Sequence, residues 1–341
     1  MTTDADLIVV GGGPVGLAAA IEARLAGLSV VLVEAREGSV DKACGEGLMP
    51  GALPLLERLG VSPTGMPLRG VSYRDGSRVA DYRFAHGSGL GVRRLELHRA
   101  LAARADELGV DRVFEKVTEL SQDPAGVSVG SLRSNWVFGA DGLHSSVRRL
   151  AGLEAAPGRL RRYGLRRHFT VAPWNDLIEV HWAHGVEAYV TPVAPDVVGV
   201  AILGSKGMDF DAAVAGIPEL TGHLAGASRA SVLRGAGPLR QRATRPGSGR
   251  VLLVGDASGY VDAITGEGLR LGFEQARVAV DAIAAGEPRR YNAEWRRVTR
   301  DFRTLTSGLV TAARSPARAA IVPLAARLPR LYGTIVERLA R

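Results

Sequence analysis

The sequence has 341 residues, of which 46% are hydrophobic and 23% are charged, and its net charge is +8. A chain of this length can bury a sizeable core and is expected to form about two domains. Its one cysteine, Cys44, excludes an intrachain disulfide and favours a cytoplasmic protein, and its most apolar segment, residues 7–21, is too short for a membrane span.

The chain opens with a predicted β-α-β unit over residues 6–36, so we expect no signal peptide. An apolar strand leads into a glycine-rich loop, a helix follows, and a second apolar strand ends at Glu34. This order is typical of dinucleotide sites, where the phosphates lie at the helix N-terminus and the acid binds ribose hydroxyls. A carboxylate at that place favours FAD or NAD over NADP. The loop residues expected to bind the cofactor are Gly11, Gly13, Pro14 and Gly16.

The next segments continue the alternation of helices and strands. Helices are expected where leucines recur at helical spacing, over residues 51–59 and 95–108. A hairpin is expected over residues 70–84, turning at Asp75 and Gly76. Short strands are expected at residues 112–114, 127–129 and 136–138.

From about Leu160 to Leu239 the hydrophobic period changes to two, which predicts a separate antiparallel sheet. Alternation places Arg166 and His168 on one face of this sheet. The expected strands cover residues 163–171, 178–182, 186–190 and 197–203. The candidate substrate-binding residues are His168, His181 and Tyr189. A purely structural role for the two histidines is the alternative.

After the sheet, an apolar strand at residues 251–254 leads into Gly255 and Asp256, and a long helix is predicted to begin near Gly268. The remaining residues, 289–341, carry twelve arginines against three acids and place leucines and isoleucines three and four apart. They are expected to form helices that either cap the substrate domain or present a basic amphipathic surface to lipid. No nucleic-acid motif accompanies this tail, and the sequence shows no metal-ligand spacing.

Three motifs beyond the opening loop carry a resemblance to a known family. They are Arg94-x-x-Leu97-x-x-x-Leu101, the segment Ala140-Asp141-Gly142-Leu143-His144-Ser145-Ser146-Val147-Arg148, and Val254-Gly255-Asp256-Ala257 followed by Thr265-Gly266-Glu267-Gly268. With these motifs in this order, the chain resembles the single-component FAD-dependent monooxygenase and geranylgeranyl-reductase superfamily, whose fold is similar to that of p-hydroxybenzoate hydroxylase.

The resemblance implies FAD as the cofactor and NAD(P)H as a transient electron donor, since the sequence has no second dinucleotide fingerprint. It implies a cation at Arg94 beside the pyrophosphate, a supporting loop at Asp141, and Asp256 at the ribityl hydroxyls. Because a helix N-terminus carries partial positive charge, the turn before the last long helix is expected to stabilise the reduced flavin. The loops named above add Gly142, Gly255, Gly266, Glu267 and Gly268 to the expected cofactor site.

The predicted fold is therefore α/β, with an FAD-binding Rossmann-type domain, an inserted antiparallel-sheet substrate domain and a C-terminal helical tail. The expected boundaries are residues 1–68, 93–158 and 246–288 for the FAD-binding domain, 69–92 and 159–245 for the substrate-binding domain, and 289–341 for the tail.

The segment Cys44-Gly45-Glu46-Gly47-Leu48 is similar to a segment of geranylgeranyl reductases that approaches the flavin and the substrate double bond. Cys44 is therefore a candidate catalytic residue in the substrate pocket, with inert packing as the alternative. The segment Tyr189-Val190-Thr191-Pro192 lacks the tryptophan that the reductases carry in their aromatic element. This difference favours another activity over polyprenyl reduction.

The expected function is a monooxygenase in which NAD(P)H reduces FAD and O2 hydroxylates a hydrophobic, phenolic or lipid-like molecule of secondary metabolism. The protein would position the substrate and exclude water, without a nucleophilic side chain. Reduction of C=C bonds in an isoprenoid chain is the main alternative, and a flavin-binding sensor or scaffold is a third.

Overall fold

The computed structural model describes residues 3–39, 41–76, 78–156, 158 and 161–341. Its fold is α/β, as the sequence predicts, with a mostly parallel sheet, a second and mainly antiparallel sheet, and C-terminal helices. Leu160 and residue 159, where the inserted domain is expected to begin, lie outside the described residues. Within the described ranges, no helix is both long and apolar enough to cross a lipid bilayer.

The β-strands are numbered here in chain order. They are β1 (Ala5–Val10), β2 (Val30–Glu34), β3 (Gly47–Leu48), β4 (Met66–Leu68), β5 (Gly70–Arg74), β6 (Val79–Arg83), β7 (Gly89–Gly91), β8 (Asp111–Phe114), β9 (Leu120–Asp123), β10 (Gly126–Val129), β11 (Leu132–Gly139), β12 (Tyr163–Thr170), β13 (Leu177–Ala183), β14 (Val186–Ala194), β15 (Val197–Gly204), β16 (Ser228–Arg229), β17 (Arg234–Ala236), β18 (Gly247–Ser248) and β19 (Val251–Leu253).

The α-helices follow the leucine periodicity, and turn residues fix several of their ends. Pro14 occupies the first turn of the first helix, where its fixed φ suits a helix and its missing N–H costs nothing. Gly60 ends the second helix with a left-handed φ of 73°. The helices are α1 (Pro14–Leu25), α2 (Leu53–Leu59), α3 (Arg94–Glu107), α4 (Ser146–Leu150), α5 (Phe210–Ala215), α6 (Pro218–His223), α7 (Gly268–Ala284), α8 (Arg290–Ala313), α9 (Ile321–Arg327) and α10 (Pro329–Ala340).

The first sheet has the strand order β18-β19-β11-β1-β2-β8 and is built from three separated stretches of chain. β1 runs parallel to both β2 and β11, so the carboxyl ends of all three meet at one edge. Its strands are apolar on both faces because both are covered: Leu7 and Val9 pack with α1, α3 and α7, whereas Ile8 and Val10 pack with β10 and β19. The loops that follow these strands therefore converge at the edge where the cofactor site is expected.

The second sheet has the order β16-β12-β15-β14-β13-β5-β6, with antiparallel neighbours except for the parallel pair β5 and β13. One face carries Val190, Val200 and Ile202 and is covered by α5 and α6. The period-two pattern did not predict these two short helices, nor did the sequence predict β9. The other face, with Val71 and Val180, is covered by the C-terminal helices.

The C-terminal helices pack onto both sheets. Tyr291 at the start of α8 is fully buried, and its hydroxyl donates to the Leu253 carbonyl at 2.6 Å. Val322 on α9, and Tyr332 and Val336 on α10, are buried against the second sheet. The tail is thus helical, as predicted, and its inner side is part of the core.

Candidate functional site

One continuous cavity of about 1360 Å³ runs from the carboxyl edge of the first sheet to the inner face of the second. Its first half is lined by the glycine-rich loop after β1 and by the loops after β2 and β11. Its second half, called here the apolar chamber, is lined mainly by the hydrophobic face of the second sheet. The chamber residues are Val71, Tyr73, Ile178, Val180, Tyr189, Ala201 and Leu203.

The loop after β1 has glycines for two different reasons. A Cβ on Gly11 would lie 2.6 Å from the Ala140 carbonyl oxygen, and one on Gly16 would lie 1.7 Å from the Gly11 carbonyl oxygen. These two glycines allow close packing, and Gly11 also has a left-handed φ of 109°. A Cβ on Gly13 would meet only the Arg94 guanidinium, at 3.9 Å, so the space in front of it is open. Together with Pro14 at the start of α1, these residues leave room for a pyrophosphate at a helix N-terminus.

Glu34 lies at the end of β2, and its carboxylate accepts a hydrogen bond from the Gly12 N–H at 2.7 Å. It lines the cavity beside the glycine-rich loop, where a ribose would lie in a dinucleotide site. His98, one turn after Arg94 on α3, also holds this loop, because its Nε2 lies 2.9 Å from the Gly12 carbonyl oxygen. Burial lowers the pKa of His98.

Arg94, Lys42 and Asp256 form a charged group in the first half of the cavity. Burial raises the pKa of Asp256, and the nearby cations Arg94 and Lys42 oppose that rise. Burial also lowers the pKa of Lys42, and repulsion by Arg94 adds to this effect. The buried Nε of Arg94 has no hydrogen-bond acceptor among the described residues. A cluster with more positive than negative charge at a cavity wall is suited to an anionic ligand such as a pyrophosphate.

Asp141 and Gly142 follow β11 and also line the cavity. The Asp141 carboxylate accepts hydrogen bonds from the backbone N–H groups of Ser146, at 2.6 Å, and Val147, at 3.1 Å. The Ser145 hydroxyl donates to its other oxygen, so Asp141 fixes the loop before α4 with both oxygens occupied by its own chain. Gly142, with a left-handed φ of 81°, brings backbone rather than a side chain to the cavity wall near Lys42.

The turn before α7 places backbone against the cavity. Thr265, Gly266 and Gly268 line it, and a Cβ on Gly266 would meet nothing within 4 Å. Gly255, after β19, lines the cavity as well. The start of α7 thus presents its N-terminal amides to an open space, as a site for a reduced flavin requires.

Glu267 differs from its neighbours because its side chain does not line the cavity. It is buried and pairs with Arg270 one turn further along α7, and its Oε1 has no hydrogen-bond partner among the described residues. Burial raises the pKa of this carboxyl to about 7, although Arg270 opposes the rise. Gly266 and Gly268 on either side of it line the cavity and Glu267 does not, so a contact of Glu267 with the cofactor stays a prediction.

The raised pKa of Glu267 predicts a pH-dependent stability. The unfolded chain loses this proton near pH 4.5 and the folded chain only near pH 7, so the free energy of unfolding should fall as pH rises between these values. A shift of this size corresponds to about 3 kcal/mol. For Glu267→Gln, urea unfolding at pH 5 and pH 8 should show a smaller fall in the free energy of unfolding than for the wild type. Glu274→Gln, a control on the same helix, should show the wild-type fall. A wild-type fall in Glu267→Gln would contradict the raised pKa of Glu267.

The residues of the first half of the cavity fit FAD. An anionic or hydrogen-bonding ligand would find partners at three separate places. These are the open space at Gly13, the Arg94 Nε, which has no acceptor among the described residues, and the exposed start of α7. Among the described residues, no cluster of three or more histidines, cysteines or acids could hold a metal ion.

Tyrosines supply the polar groups of the apolar chamber. The Tyr189 hydroxyl donates to the Ile264 carbonyl oxygen at 2.8 Å, so its capacity to donate is already used. Tyr73 packs between the rings of Trp182 and Tyr332, at centroid distances of 5.4 and 5.1 Å, and lines the chamber. Burial raises the pKa of Tyr73 to about 12, so its hydroxyl stays a hydrogen-bond donor.

Of the other sequence candidates, the structure brings some to the cavity and not others. Cys44 lies at the junction of its two halves, and burial raises the pKa of its thiol, which keeps it protonated. His168 is buried behind this junction, with its Nε2 2.5 Å from Glu46 Oε2. His181 lies apart from them, because it shares the opposite face of the sheet with Glu179, whose Oε2 is 3.0 Å from its Nε2. His181 therefore does not line the cavity.

Sequence reasoning missed two residues that line the cavity, Lys42 and His98, and it gave no individual role to Arg148. The sequence offers only a weak indication that Lys42 or His98 belongs to the site. Lys42 is one of three lysines in an arginine-rich chain, and His98 lies four residues after Arg94. Arg148 ends the motif that begins at Ala140 and is fully buried, donating to the carbonyl oxygens of Leu143 and Ala257.

The chain matches one protein family and is similar to several known proteins. The FAD binding domain family matches residues 4–288. A menaquinone reductase of Mycolicibacterium smegmatis is 29% identical, over 86% of this chain and 80% of that protein. A 12-dehydrotetracycline 5-monooxygenase/anhydrotetracycline 6-monooxygenase of Streptomyces rimosus is 28% identical, over 80% of this chain but only 61% of that enzyme.

Two further proteins are similar over most of the chain. A digeranylgeranylglycerophospholipid reductase of Methanothrix thermoacetophila is 28% identical, over 83% of this chain and 79% of that protein. Among solved structures, a flavoprotein/dehydrogenase from Cytophaga hutchinsonii has a TM-score of 0.83, with 19% identity over 98% of this chain and 96% of that one. The structural similarity extends across both sheets and the C-terminal helices.

Proposed function

The chain belongs to the FAD binding domain family, and from that premise we propose that it is an NAD(P)H-driven monooxygenase of a hydrophobic aromatic or lipid-like small molecule. The observation that carries the proposal is the continuity of the cavity, which joins the cofactor half to the apolar chamber. FAD, when bound, supplies the redox chemistry between NAD(P)H and O2. In the net reaction, substrate, O2, NAD(P)H and a proton give hydroxylated substrate, NAD(P)+ and water.

The chain's own residues would bind, orient and exclude water. Gly11, Gly13 and Arg94 would hold the pyrophosphate, and Glu34 would accept hydrogen bonds from the ribose. The amides at the start of α7 would stabilise negative charge on the reduced cofactor. The aliphatic walls of the chamber would desolvate the substrate, and the Tyr73 hydroxyl would donate a hydrogen bond to an oxygen on it.

The monooxygenase proposal is tested by the origin of the product oxygen. Purified protein saturated with FAD is incubated with NADH or NADPH, extracted phenols or lipids, and oxygen-18 gas. We expect a product that carries one labelled oxygen, together with NAD(P)H consumption that depends on the added compound. NAD(P)H consumption that yields only hydrogen peroxide with every compound would contradict the proposal.

A second function, reduction of C=C bonds in an isoprenoid chain, is favoured by the position of Cys44. Its segment lies where the cofactor half of the cavity opens into the apolar chamber, and two of the similar proteins are named as reductases. A reductase turns over without O2. Anaerobic incubation of chemically reduced protein with polyprenyl lipids should then give products heavier by two hydrogens per bond, and absence of such products under argon argues against this function.

We also propose a peripheral membrane contact by the C-terminal helices. Leu324, Leu328, Leu331 and Ile335 are 53, 47, 56 and 40% exposed, an unusual density of large apolar side chains on a surface. Exposed arginines of the same helices lie beside them, which suits an anionic lipid surface. On the inner side of α10, Val336 and Leu339 line the cavity. A bilayer at this surface would bring lipid-like substrates close to the chamber.

The membrane contact is tested by co-sedimentation with vesicles. The FAD-bound protein should sediment with vesicles containing phosphatidylglycerol and much less with pure phosphatidylcholine. The double variant Leu328→Glu, Leu331→Glu should lose this binding while keeping its FAD, because both side chains are exposed and distant from the cofactor half. Undiminished sedimentation of the variant would exclude this surface.

A further inference from the structure

The segment of residues 41–47, called here the Cys44 loop, borders the cavity where its cofactor half meets the apolar chamber. Every residue of the loop lines the cavity. The chain enters it after β2 and leaves it through β3. The loop therefore lies beside the places that cofactor and substrate occupy in the proposed function.

Glu46 gives this loop an unusual conformation. Among the described residues other than glycine, it alone has a positive φ, at 59°. A side chain in this left-handed region costs free energy, so the surrounding contacts must hold it there. Its buried carboxylate also accepts a hydrogen bond from the Arg94 N–H at 2.9 Å, which ties the loop to the start of α3.

His168 holds the other oxygen of the Glu46 carboxylate, and its tautomer follows from its neighbours. Arginine can only donate hydrogen bonds, so Arg166 Nη1, 3.1 Å away, makes His168 Nδ1 an acceptor. The ring proton then lies on Nε2, which points at Glu46 Oε2 at 2.5 Å. This hydrogen bond joins a neutral donor to a carboxylate in a buried place, where such bonds are strong.

Arg166 fixes the beginning of the same loop. Its guanidinium pairs with the Asp41 carboxylate and donates to the Lys42 carbonyl oxygen at 3.2 Å. Gly199 on β15 leaves space for the contact between Glu46 and His168, since a Cβ there would lie 3.1 Å from Glu46 Oε2 and 3.5 Å from His168 Cδ2. Two side chains of one strand therefore hold the two ends of the loop.

We propose that Arg166 and His168, through Asp41 and Glu46, are positioning residues that lock the Cys44 loop in place. The lock fixes Cys44 and Gly45 as a rigid edge of the opening between the two halves of the cavity. The location of this edge between a cofactor and a substrate rests on the proposed function. The lock itself rests only on the contacts of Arg166 and His168 with Asp41, Lys42 and Glu46.

The single cysteine makes the lock directly measurable, because Cys44 carries the one thiol in the chain and iodoacetamide reacts fastest with thiols. Cys44 is partly exposed, so alkylation of the FAD-saturated protein, followed by mass spectrometry, reports how readily the loop moves to expose the thiol further. In His168→Leu, which removes the donor to Glu46, alkylation should be about tenfold faster. His168→Gln keeps a donor near the Nε2 position and should restore most of the wild-type rate.

The chain offers a matched control in its second buried histidine and glutamate pair. His181 contacts Glu179 two residues earlier on the same strand, β13, and faces away from the cavity. His181→Leu should lower stability comparably and leave the alkylation rate of folded protein unchanged. Equal acceleration in His181→Leu, or a wild-type rate in His168→Leu, would overturn the lock.

Gly199→Ala provides a second variant should His168→Leu fail to fold. Its added methyl group would push the Glu46 carboxylate without removing any charge, so alkylation should again be faster than in the wild type. A folded Gly199→Ala protein with the wild-type rate would contradict the proposal. Since alkylation needs no turnover, a failure of the oxygen-18 experiment would leave this result interpretable.

Discussion

A Gly13→Trp variant should fold and yet purify without its yellow cofactor. The space in front of Gly13 contains only the Arg94 guanidinium, so an indole there would occupy the expected place of the pyrophosphate. The effect should exceed about a thousandfold in the dissociation constant, because several favourable contacts are lost together. Absorbance near the flavin bands after dialysis against FAD measures the outcome.

Gly308→Trp is the matched control for this experiment. Gly308 lies on the exposed side of α8, with nothing within 4 Å of an added Cβ. The control variant should retain FAD at the wild-type ratio, and circular dichroism should show both variants folded. A Gly13→Trp protein that stays fully yellow would refute the placement of the cofactor.

Replacement of Arg148 by alanine should cost about 3 to 5 kcal/mol in the free energy of unfolding. This arginine is 1% exposed and donates to the carbonyl oxygens of Leu143 and Ala257 and to the Gln241 side chain. Its removal would leave these buried acceptors without donors and open a cavity between the loops after β11 and β19. Urea denaturation of the apoprotein at constant pH provides the measurement.

The next residue supplies the control. Arg149 is exposed, so Arg149→Ala should change the free energy of unfolding by less than about 0.5 kcal/mol. If the free energy of unfolding fell by similar amounts in the two variants, the charge in α4, rather than the buried hydrogen bonds of Arg148, would be what stabilises this region.

Several residues of the cofactor half could be predicted because they lie close together in the sequence. Glycines of the opening loop and Glu34 lie within one β-α-β unit, so their spacing alone fixes their relative positions. The hairpin at Asp75 and Gly76 was also predictable, and β5 pairs with β6 as expected. Short-range patterns of this kind are strong in a single sequence.

The substrate half depended on strand register, which the sequence alone does not reveal. Tyr189 pairs with Val180, so His181, the next residue along β13, points to the other face of the sheet. Likewise, the contact between Glu46 and His168 joins residues from different domains of the predicted fold. Glu267 shows the same limit: its motif was visible, but the burial that turns its side chain to Arg270 was not.

The order in which the first sheet is assembled has a consequence for biosynthesis. Val9 pairs with Phe138, and Phe138 pairs with Leu252, so the sheet is complete only when most of the chain has left the ribosome. Until then, the apolar strands at the N-terminus lack their neighbours, and closing such long loops is slow. The nascent protein must therefore be kept from aggregating through much of translation, and we expect its recovery in cells to depend on chaperones.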